Sequence, residues 1–171
     1  MWIKLGIAWS AAVSWVGLTT SPDSNPERLA QIEEMYAGYA AAFPDVPALT
    51  PRELLSRQAA GEDWVIVDVR PEPERAVAML AGAVTREQVE ANPAAYAGPN
   101  VVAYCTIGYR SGLWAEEMAG RGLLVHNLAG SALAWSHVGG AFEDADGAPT
   151  QRLHVYGPLW DLARTDVEAV W

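Results

Sequence analysis

Short apolar runs alternate with helix-like stretches along the middle of the chain. Trp64–Asp68, residues 101–104 and residues 123–126 are continuous apolar runs, typical of strands that are buried on both faces. Residues 113–119 and the stretch after Gly130 have the pattern of helices. Strands that alternate with helices predict a parallel sheet covered by helices on both faces, which places the chain in the α/β class.

A first helix is expected before these strands. Residues 21–26 form a break that contains two prolines. Asn25 is a suitable N-cap, and Pro26 would occupy the first helical position. The helix is predicted to run to about residue 43, to stop before Pro44, and to pack on the domain rather than take part in chemistry.

A second, shorter helix is expected directly before the first long strand. Thr50 and Glu53 have the spacing of a capping box, with Pro51 at the first helical position. The pattern predicts a helix over residues 51–59 that ends at Gly61.

Composition and charge exclude several classes of function. The chain has 171 residues, half of them apolar, which is enough for one domain with a sizeable core. Its net charge of -10 and the absence of a basic stripe argue against a nucleic-acid partner. Its single cysteine, Cys105, excludes an internal disulfide and a thiolate metal cluster, and the three histidines show no metal-ligand spacing.

The N-terminal segment, residues 1–20, is apolar. Residues 5–18 form a run of 14 residues without a charge, preceded by Lys4. That length fits the core of a signal peptide and is short for a membrane span of about 20 residues. Two interpretations stay open: an exported or membrane-anchored protein that contacts a membrane through residues 1–20, or a cytoplasmic protein in which this segment is a packed helix.

Cys105 is the main candidate for chemistry. It directly follows the strand-like residues 101–104 and opens a loop that leads into a helix. Loop N–H groups and a helix N-terminus both favour an anion, so they would stabilise the thiolate and lower its pKa below the free value of about 8.5. The sequence therefore predicts a nucleophilic cysteine at the base of an anion-binding loop.

Asp68 ends another predicted strand and should reach the same edge of the sheet as Cys105. We expect its carboxylate to hold Arg110 or to orient the loop amides. Arg70 is expected to pair with Glu74.

Four separated segments resemble the rhodanese family of sulfurtransferases, in order and at suitable spacing. The first is the strand with its Asp-x-Arg element and following turn, the second a Gly-containing turn, the third the six-residue loop, and the fourth a Leu-x-Gly segment followed by a tryptophan. These are residues 65–74, 80–84, 105–110 and 127–130 with Trp135. Ala81 and Ser131 stand where the family usually has a proline and a second glycine.

The resemblance implies a rhodanese-like α/β fold, with a central parallel sheet of about five strands flanked by helices on both faces. It covers the segment that we predict as a rhodanese-like domain, residues 48–140. Residues 21–47 are expected to be a helical lead-in, and residues 141–171 a C-terminal extension that packs on the domain.

The resemblance also implies an activity and its site. Cys105 would be the catalytic nucleophile, accepting sulfur from a small donor such as thiosulfate or a mercapto acid, and a thiol or cyanide would remove it. The substrate-binding residues would be Thr106, Ile107, Gly108, Tyr109 and Arg110, supported by Asp68 and Arg70. No metal or organic cofactor is needed for this chemistry, and the sequence names no protein acceptor.

Two alternatives remain beside turnover of small substrates. A docking module or persulfide carrier without turnover is one, although the presence of both Cys105 and Arg110 argues against an inactive module. The other is a phosphatase or arsenate reductase. Four residues separate Cys105 from Arg110, one fewer than in the related cell-cycle tyrosine phosphatases, and a smaller ring favours sulfur over phosphate.

Several other residues have ordinary structural interpretations. His126 is expected to be a satisfied core histidine, and the tryptophans at positions 64, 114, 135 and 160 are expected to be packing anchors. For Asp68, structural support and direct contact with the substrate remain equally open. His154 has no assignment from the sequence.

Overall fold

The computed structural model describes residues 22–171. The expectation for residues 1–20 falls outside this range. Within it, no helix is long and apolar enough to cross a membrane.

Six α-helices and ten short strands make up the described part of the chain. The helices are α1 Asn25–Ala40, α2 Pro51–Ala59, α3 Glu72–Arg75, α4 Arg86–Ala91, α5 Tyr109–Gly120 and α6 Ser131–His137. The strands are β1 Ala48–Leu49, β2 Trp64–Asp68, β3 Met79–Leu80, β4 Val84–Thr85, β5 Asn100–Tyr104, β6 His126–Leu128, β7 Phe142–Glu143, β8 Pro149–Thr150, β9 Arg152–His154 and β10 Glu168–Val170. Two 3₁₀ turns, Pro93–Tyr96 and Pro158–Trp160, complete the description.

The central sheet has five strands in the order β1-β6-β5-β2-β4, and every pairing is parallel. β2 and β5 pair along their whole length, from Trp64 with Asn100 to Asp68 with Tyr104. The predicted five-stranded parallel sheet is confirmed. Its carboxyl edge places the segments that follow β2, β5 and β6 side by side.

Helices cover both faces of the sheet. In β5, Val102 and Tyr104 join one core cluster, which also contains side chains of α1, α2 and α6. Val101 and Ala103 point the other way and join a second cluster with side chains of α4 and α5. This alternation is the period of two that a strand imposes on its side chains.

The C-terminal residues contribute to the same core. Leu153, Val155 and Leu162 are fully buried in the cluster that also contains Ile32 of α1. β9 and β10 form a separate two-stranded parallel sheet, and β3, β7 and β8 form a three-stranded antiparallel one. How the chain divides into domains stays a prediction.

The capping box of α2 is present as predicted. The Glu53 N–H donates to Thr50 Oγ1, and the Thr50 N–H donates to Glu53 Oε2. In α1 the expected cap is displaced by one residue: Ser24 is the extended N-cap, while the Asn25 side chain accepts a hydrogen bond from the Thr165 N–H. α1 also ends earlier than predicted, at Ala40.

The third predicted strand, residues 123–126, is misplaced. β6 begins only at His126, where pairing with Val102 starts. Leu123 and Val125 are buried against α5 without ladder hydrogen bonds to the sheet. An apolar pattern indicates that side chains are buried but does not show that they lie in a strand. Here Leu123 and Val125 are buried before the chain joins the sheet at His126.

Candidate active site

Cys105 follows β5 directly and lies at the base of the loop that enters α5. It is only 1% exposed. The Gly108 N–H points back at the sulfur and donates to Cys105 Sγ at 3.1 Å. The loop can direct this N–H toward the sulfur because residue 108 is a glycine. Its φ of +112° is a left-handed conformation that other residues rarely adopt.

The surroundings favour the thiolate of Cys105. Burial alone raises the pKa of the thiol, but the positive charge of Arg110 and hydrogen bonds from the backbone N–H groups of Ser111 and Gly108 outweigh it. The pKa of Cys105 therefore lies below its usual value, and the donors that lower it are those that would stabilise any anion at this position.

The carbonyl groups and the N–H groups of the loop point in different directions. The carbonyl oxygens of Cys105 and Thr106 accept hydrogen bonds from the Ala132 and Leu133 N–H groups, at the start of α6. The Gly108 N–H faces the sulfur instead. The two carbonyl groups at the base of the loop are thus bonded to α6, and the Gly108 N–H is directed at the sulfur.

Arg110 is held at the mouth of the loop by a carboxylate. Its two terminal nitrogens donate to the two oxygens of Glu74, at 2.7 and 2.8 Å, and Nη2 also donates to Thr106 Oγ1 at 3.0 Å. Burial raises the pKa of Glu74, but its bonds to Arg110 prevail and keep that pKa below the usual range. Glu74 comes from the short helix α3 after β2.

Asp68 and Arg70 form a second, fully buried pair. Asp68 accepts from the Arg70 backbone N–H at 2.9 Å and from the guanidinium Nη2 at 2.7 Å. Arg70 Nη2 also donates to the Ala78 carbonyl. The Tyr104 hydroxyl donates to Asp68 and accepts from the Leu80 N–H.

The expected pairings of these charges are therefore wrong. Asp68 pairs with Arg70 rather than with Arg110, because the Arg70 side chain folds back onto the carboxylate two residues before it. Glu74 is consequently free to meet Arg110, which it does at the mouth of the loop.

The other residues of the predicted site lie in two environments. Thr106 and Ile107 are buried, and Ile107 belongs to the core cluster rather than to the surface of the loop. Tyr109 is exposed at the start of α5. Whether any of them binds substrate stays a prediction.

Three polar residues of the site were given no role from the sequence. Asn127 is fully buried, donates to the Gly108 carbonyl at 2.8 Å, and accepts from the Ser111 hydroxyl at 2.7 Å. The Ser131 hydroxyl accepts from the Cys105 N–H at 3.1 Å and donates to the Leu128 carbonyl. The signal that the sequence offered for Asn127 was its position directly after the apolar run of residues 123–126, at the start of the fourth matched segment.

One aromatic ring lies against Arg110, and further aromatic rings pack on Tyr109, the residue before it. The Tyr156 ring lies 5.6 Å from the guanidinium carbon, and Tyr109 packs against Tyr39 of α1 with ring centres 5.4 Å apart. Tyr39 also stacks on Trp160. The C-terminal residues thus reach Arg110 through Tyr156, and Trp160 contacts both Tyr39 and Tyr156 as well as packing on the core.

His126 differs from its expected role as a satisfied core residue. Its Nδ1 is buried without a hydrogen-bond partner in the described chain, and burial lowers its pKa. It packs edge-on against Trp64 and pairs with Val102 inside the sheet, away from Cys105. Among residues 22–171, no three His, Cys, Asp or Glu side chains are grouped to hold a metal ion.

Together, the parallel sheet and the cysteine loop at its carboxyl edge define an α/β protein with a buried thiol whose surroundings favour the thiolate. Solved structures identify the fold. A rhodanese-like domain from Anabaena sp. is 21% identical, with 57% of this chain and 79% of that chain covered and a TM-score of 0.52. The chain therefore has the rhodanese-like fold.

Two further structures are similar. A Rhodopseudomonas palustris protein of unknown function, described as a possible tyrosine phosphatase, is 24% identical over 70% of this chain and 94% of that one, with a TM-score of 0.50. A thiosulfate sulfurtransferase from Pseudomonas aeruginosa is 22% identical over 71% of this chain and 24% of that one, with a TM-score of 0.49. No family model and no curated protein matches the chain. At these identities the similarity concerns the fold alone.

Proposed function

We propose that this protein is a sulfurtransferase that carries a sulfane sulfur as a persulfide on Cys105. The observation that carries the proposal is the Gly108 N–H aimed at Cys105 Sγ at 3.1 Å, beside an arginine that favours the thiolate. A buried sulfur with fixed donors can hold negative charge both before and after it accepts a second sulfur.

In the first half of the reaction, the Cys105 thiolate attacks the outer sulfur of the donor. With thiosulfate, a new S–S bond forms, the donor's S–S bond breaks, and sulfite leaves with the electron pair. With 3-mercaptopyruvate, the C–S bond breaks instead, and the carbon product takes up the electron pair and a proton. Either route leaves the anionic persulfide, Cys105–S–S⁻.

In the second half, an acceptor nucleophile attacks the outer sulfur of the persulfide. Cyanide becomes thiocyanate, and a thiolate becomes a persulfide of its own. The S–S bond to Cys105 breaks, and its electron pair returns to the cysteine as thiolate. The cycle needs no external oxidant or reductant.

The charges at the mouth favour one donor over another. Arg110 is the only cationic residue of the loop from Cys105 to Arg110, and the paired Glu74 carboxylate offsets part of its attraction for a further anion. A donor with two negative charges gains little attraction there. We therefore propose that the singly charged mercapto acid loads Cys105 faster than thiosulfate does.

The test is the mass of the intact protein after incubation with each donor in turn. Transfer of one sulfur adds about 32 Da to the wild-type chain as a persulfide, and a reducing thiol removes it. Cys105→Ser provides the matched control, because it exchanges only the sulfur and must gain no mass. Since Cys105 is the only cysteine, the added mass is assigned without further mapping.

Other outcomes separate the alternatives. A mass gain without thiocyanate formation from cyanide would indicate a persulfide carrier without turnover. No gain with either donor would contradict the proposal. Hydrolysis of p-nitrophenyl phosphate by the wild type, but not by Cys105→Ser, would then support the phosphatase alternative.

A further inference from the structure

Tyr36, in α1, lies directly against the cysteine loop. A Cβ atom placed on Gly108 would stand 2.6 Å from Tyr36 Cε2 and 2.7 Å from Cδ2. Any side chain at position 108 would therefore collide with the ring. The Tyr36 ring occupies the outer side of Gly108, whose N–H reaches the Cys105 sulfur.

The Tyr36 hydroxyl belongs to the hydrogen-bond network behind the loop. It accepts from Asn127 Nδ2 at 3.4 Å, and the same nitrogen donates to the Gly108 carbonyl at 2.8 Å. Asn127 Oδ1 accepts from the Ser111 hydroxyl. Both hydrogens and the oxygen of this buried amide are thus in use, which fixes how the amide is turned.

Tyr36 also responds electrostatically to the cysteine. Burial raises the pKa of Tyr36, its bond from Asn127 lowers it, and the negative charge of Cys105 raises it further. The net shift is upward, so the hydroxyl remains protonated at neutral pH. A neutral phenol can stay in this network while the sulfur next to it is charged.

We propose that Tyr36 is a positioning residue for the chemistry of Cys105: its ring holds Gly108 in place, and its hydroxyl fixes Asn127. The consequence is that the Gly108 N–H and Ser111 keep facing the sulfur. α1 then belongs to the catalytic unit, although residues 21–47 were expected to be only a helical lead-in. The inference rests on the proposed function for the choice of Cys105 as the reacting group.

The test compares Tyr36→Phe with the wild type in the full chain. Phenylalanine keeps the ring against Gly108 and removes only the hydroxyl, which leaves one buried N–H of Asn127 without an acceptor. We expect the thiolate of Cys105, followed by its ultraviolet absorbance, to form at higher pH. Alkylation by iodoacetamide at neutral pH should slow about threefold, which corresponds to the loss of one ordinary hydrogen bond.

Tyr36→Leu extends the test to the ring. Removing the ring releases Gly108 as well as Asn127, and the rate of alkylation should fall by about tenfold. Tyr39→Phe is the matched control on the same helix, since the described contacts of Tyr39 involve its ring and not its hydroxyl. It should keep the wild-type pH profile.

A purely structural role gives a different result. If Tyr36→Phe lowers the melting temperature but leaves the pH profile of Cys105 unchanged, the inference is overturned. An equal shift in Tyr39→Phe would overturn it too. Alkylation needs no sulfur donor, so a shifted profile supports the positioning role even if no persulfide forms, and the two proposals fail separately.

Discussion

Two arginine–carboxylate pairs lie near the carboxyl edge of the sheet, and they differ in how far water reaches them. In the Asp68–Arg70 pair, both side chains are 0% exposed. In the Glu74–Arg110 pair, Glu74 is 6% exposed and Arg110 is 33% exposed. The first pair is closed by Tyr104 and the backbone, whereas the second faces Thr106 and the cysteine.

The difference assigns the pairs to different tasks. The charges of a fully buried pair have lost their contact with water, so each charge depends on its protein partners. The Asp68–Arg70 pair therefore holds the segment after β2 in one arrangement. A pair at the mouth keeps its charges near solvent and near the sulfur, where they change the pKa of Cys105. The comparison predicts that breaking the first pair mainly affects folding and that breaking the second mainly affects chemistry.

The largest expected effect is that of Asp68→Ala on stability. The substitution leaves the buried Arg70 guanidinium without its carboxylate partner and removes the acceptor of the Tyr104 hydroxyl. The free energy of unfolding, measured with urea, should fall by about 3–5 kcal/mol. Glu168→Ala, which breaks the exposed pair with Arg152, is the control and should remain close to wild type. Equal losses of unfolding free energy for the two substitutions would contradict a stabilising role for the buried Asp68–Arg70 pair.

Arg110→Gln should affect chemistry more than folding. It removes the charge that lowers the pKa of Cys105. Alkylation of Cys105 at neutral pH should slow by about tenfold, the effect expected when a thiolate loses its cationic neighbour. The measurement is the pH dependence of the alkylation rate. A profile identical to that of the wild type would show that Arg110 does not act on the sulfur.

Acid should reveal the contribution of Glu74. Its pKa is lower in the folded protein than in the unfolded chain, so the stability it contributes is present above the unfolded value of about 4.3 and is lost as the pH falls below it. Thermal unfolding of wild type and Glu74→Gln should differ at pH 7, and the difference should shrink at about pH 3. If the stability difference between the two proteins grew in acid, the pKa of Glu74 would be raised by folding and not lowered.

The smallest effect is expected from Tyr156→Ala. The Tyr156 side chain is 63% exposed, and its ring lies beside the guanidinium of Arg110. An exposed contact of this kind contributes about 0.5–1 kcal/mol, so the rate of alkylation should change by less than about fivefold. A larger change in the rate would show that Tyr156 affects the Cys105 thiolate as strongly as Arg110 is expected to.

The parallel sheet and the position of Cys105 at its carboxyl edge could be predicted from the sequence because both depend on local patterns, while the number of strands came from the family resemblance. The apolar run of β2 and the capping box at Thr50 each report on neighbouring residues. β6 was misplaced because Leu123 and Val125 are buried outside the sheet, and burial alone does not distinguish a strand from a packed loop.

The charge partners and the supporting residues could not be predicted in the same way. Position at one edge of the sheet brought Asp68, Arg70, Glu74 and Arg110 together, but only the path of each side chain decides which pairs form. Tyr36 reaches the loop from a helix that lies far away in the sequence. Its pattern indicates a packing residue, and the ring does pack, on Gly108.

The bonds from the Ala132 and Leu133 N–H groups to the carbonyl oxygens at the base of the loop have one more consequence. A peptide group that turned its oxygen toward the sulfur would repel the thiolate and the persulfide alike. Because α6 holds each of these two oxygens, a turn of either peptide group would first have to break its hydrogen bond to α6. The loop is therefore arranged for an anion before one arrives, and the proposed sulfur transfer would require no turn of these two peptide groups.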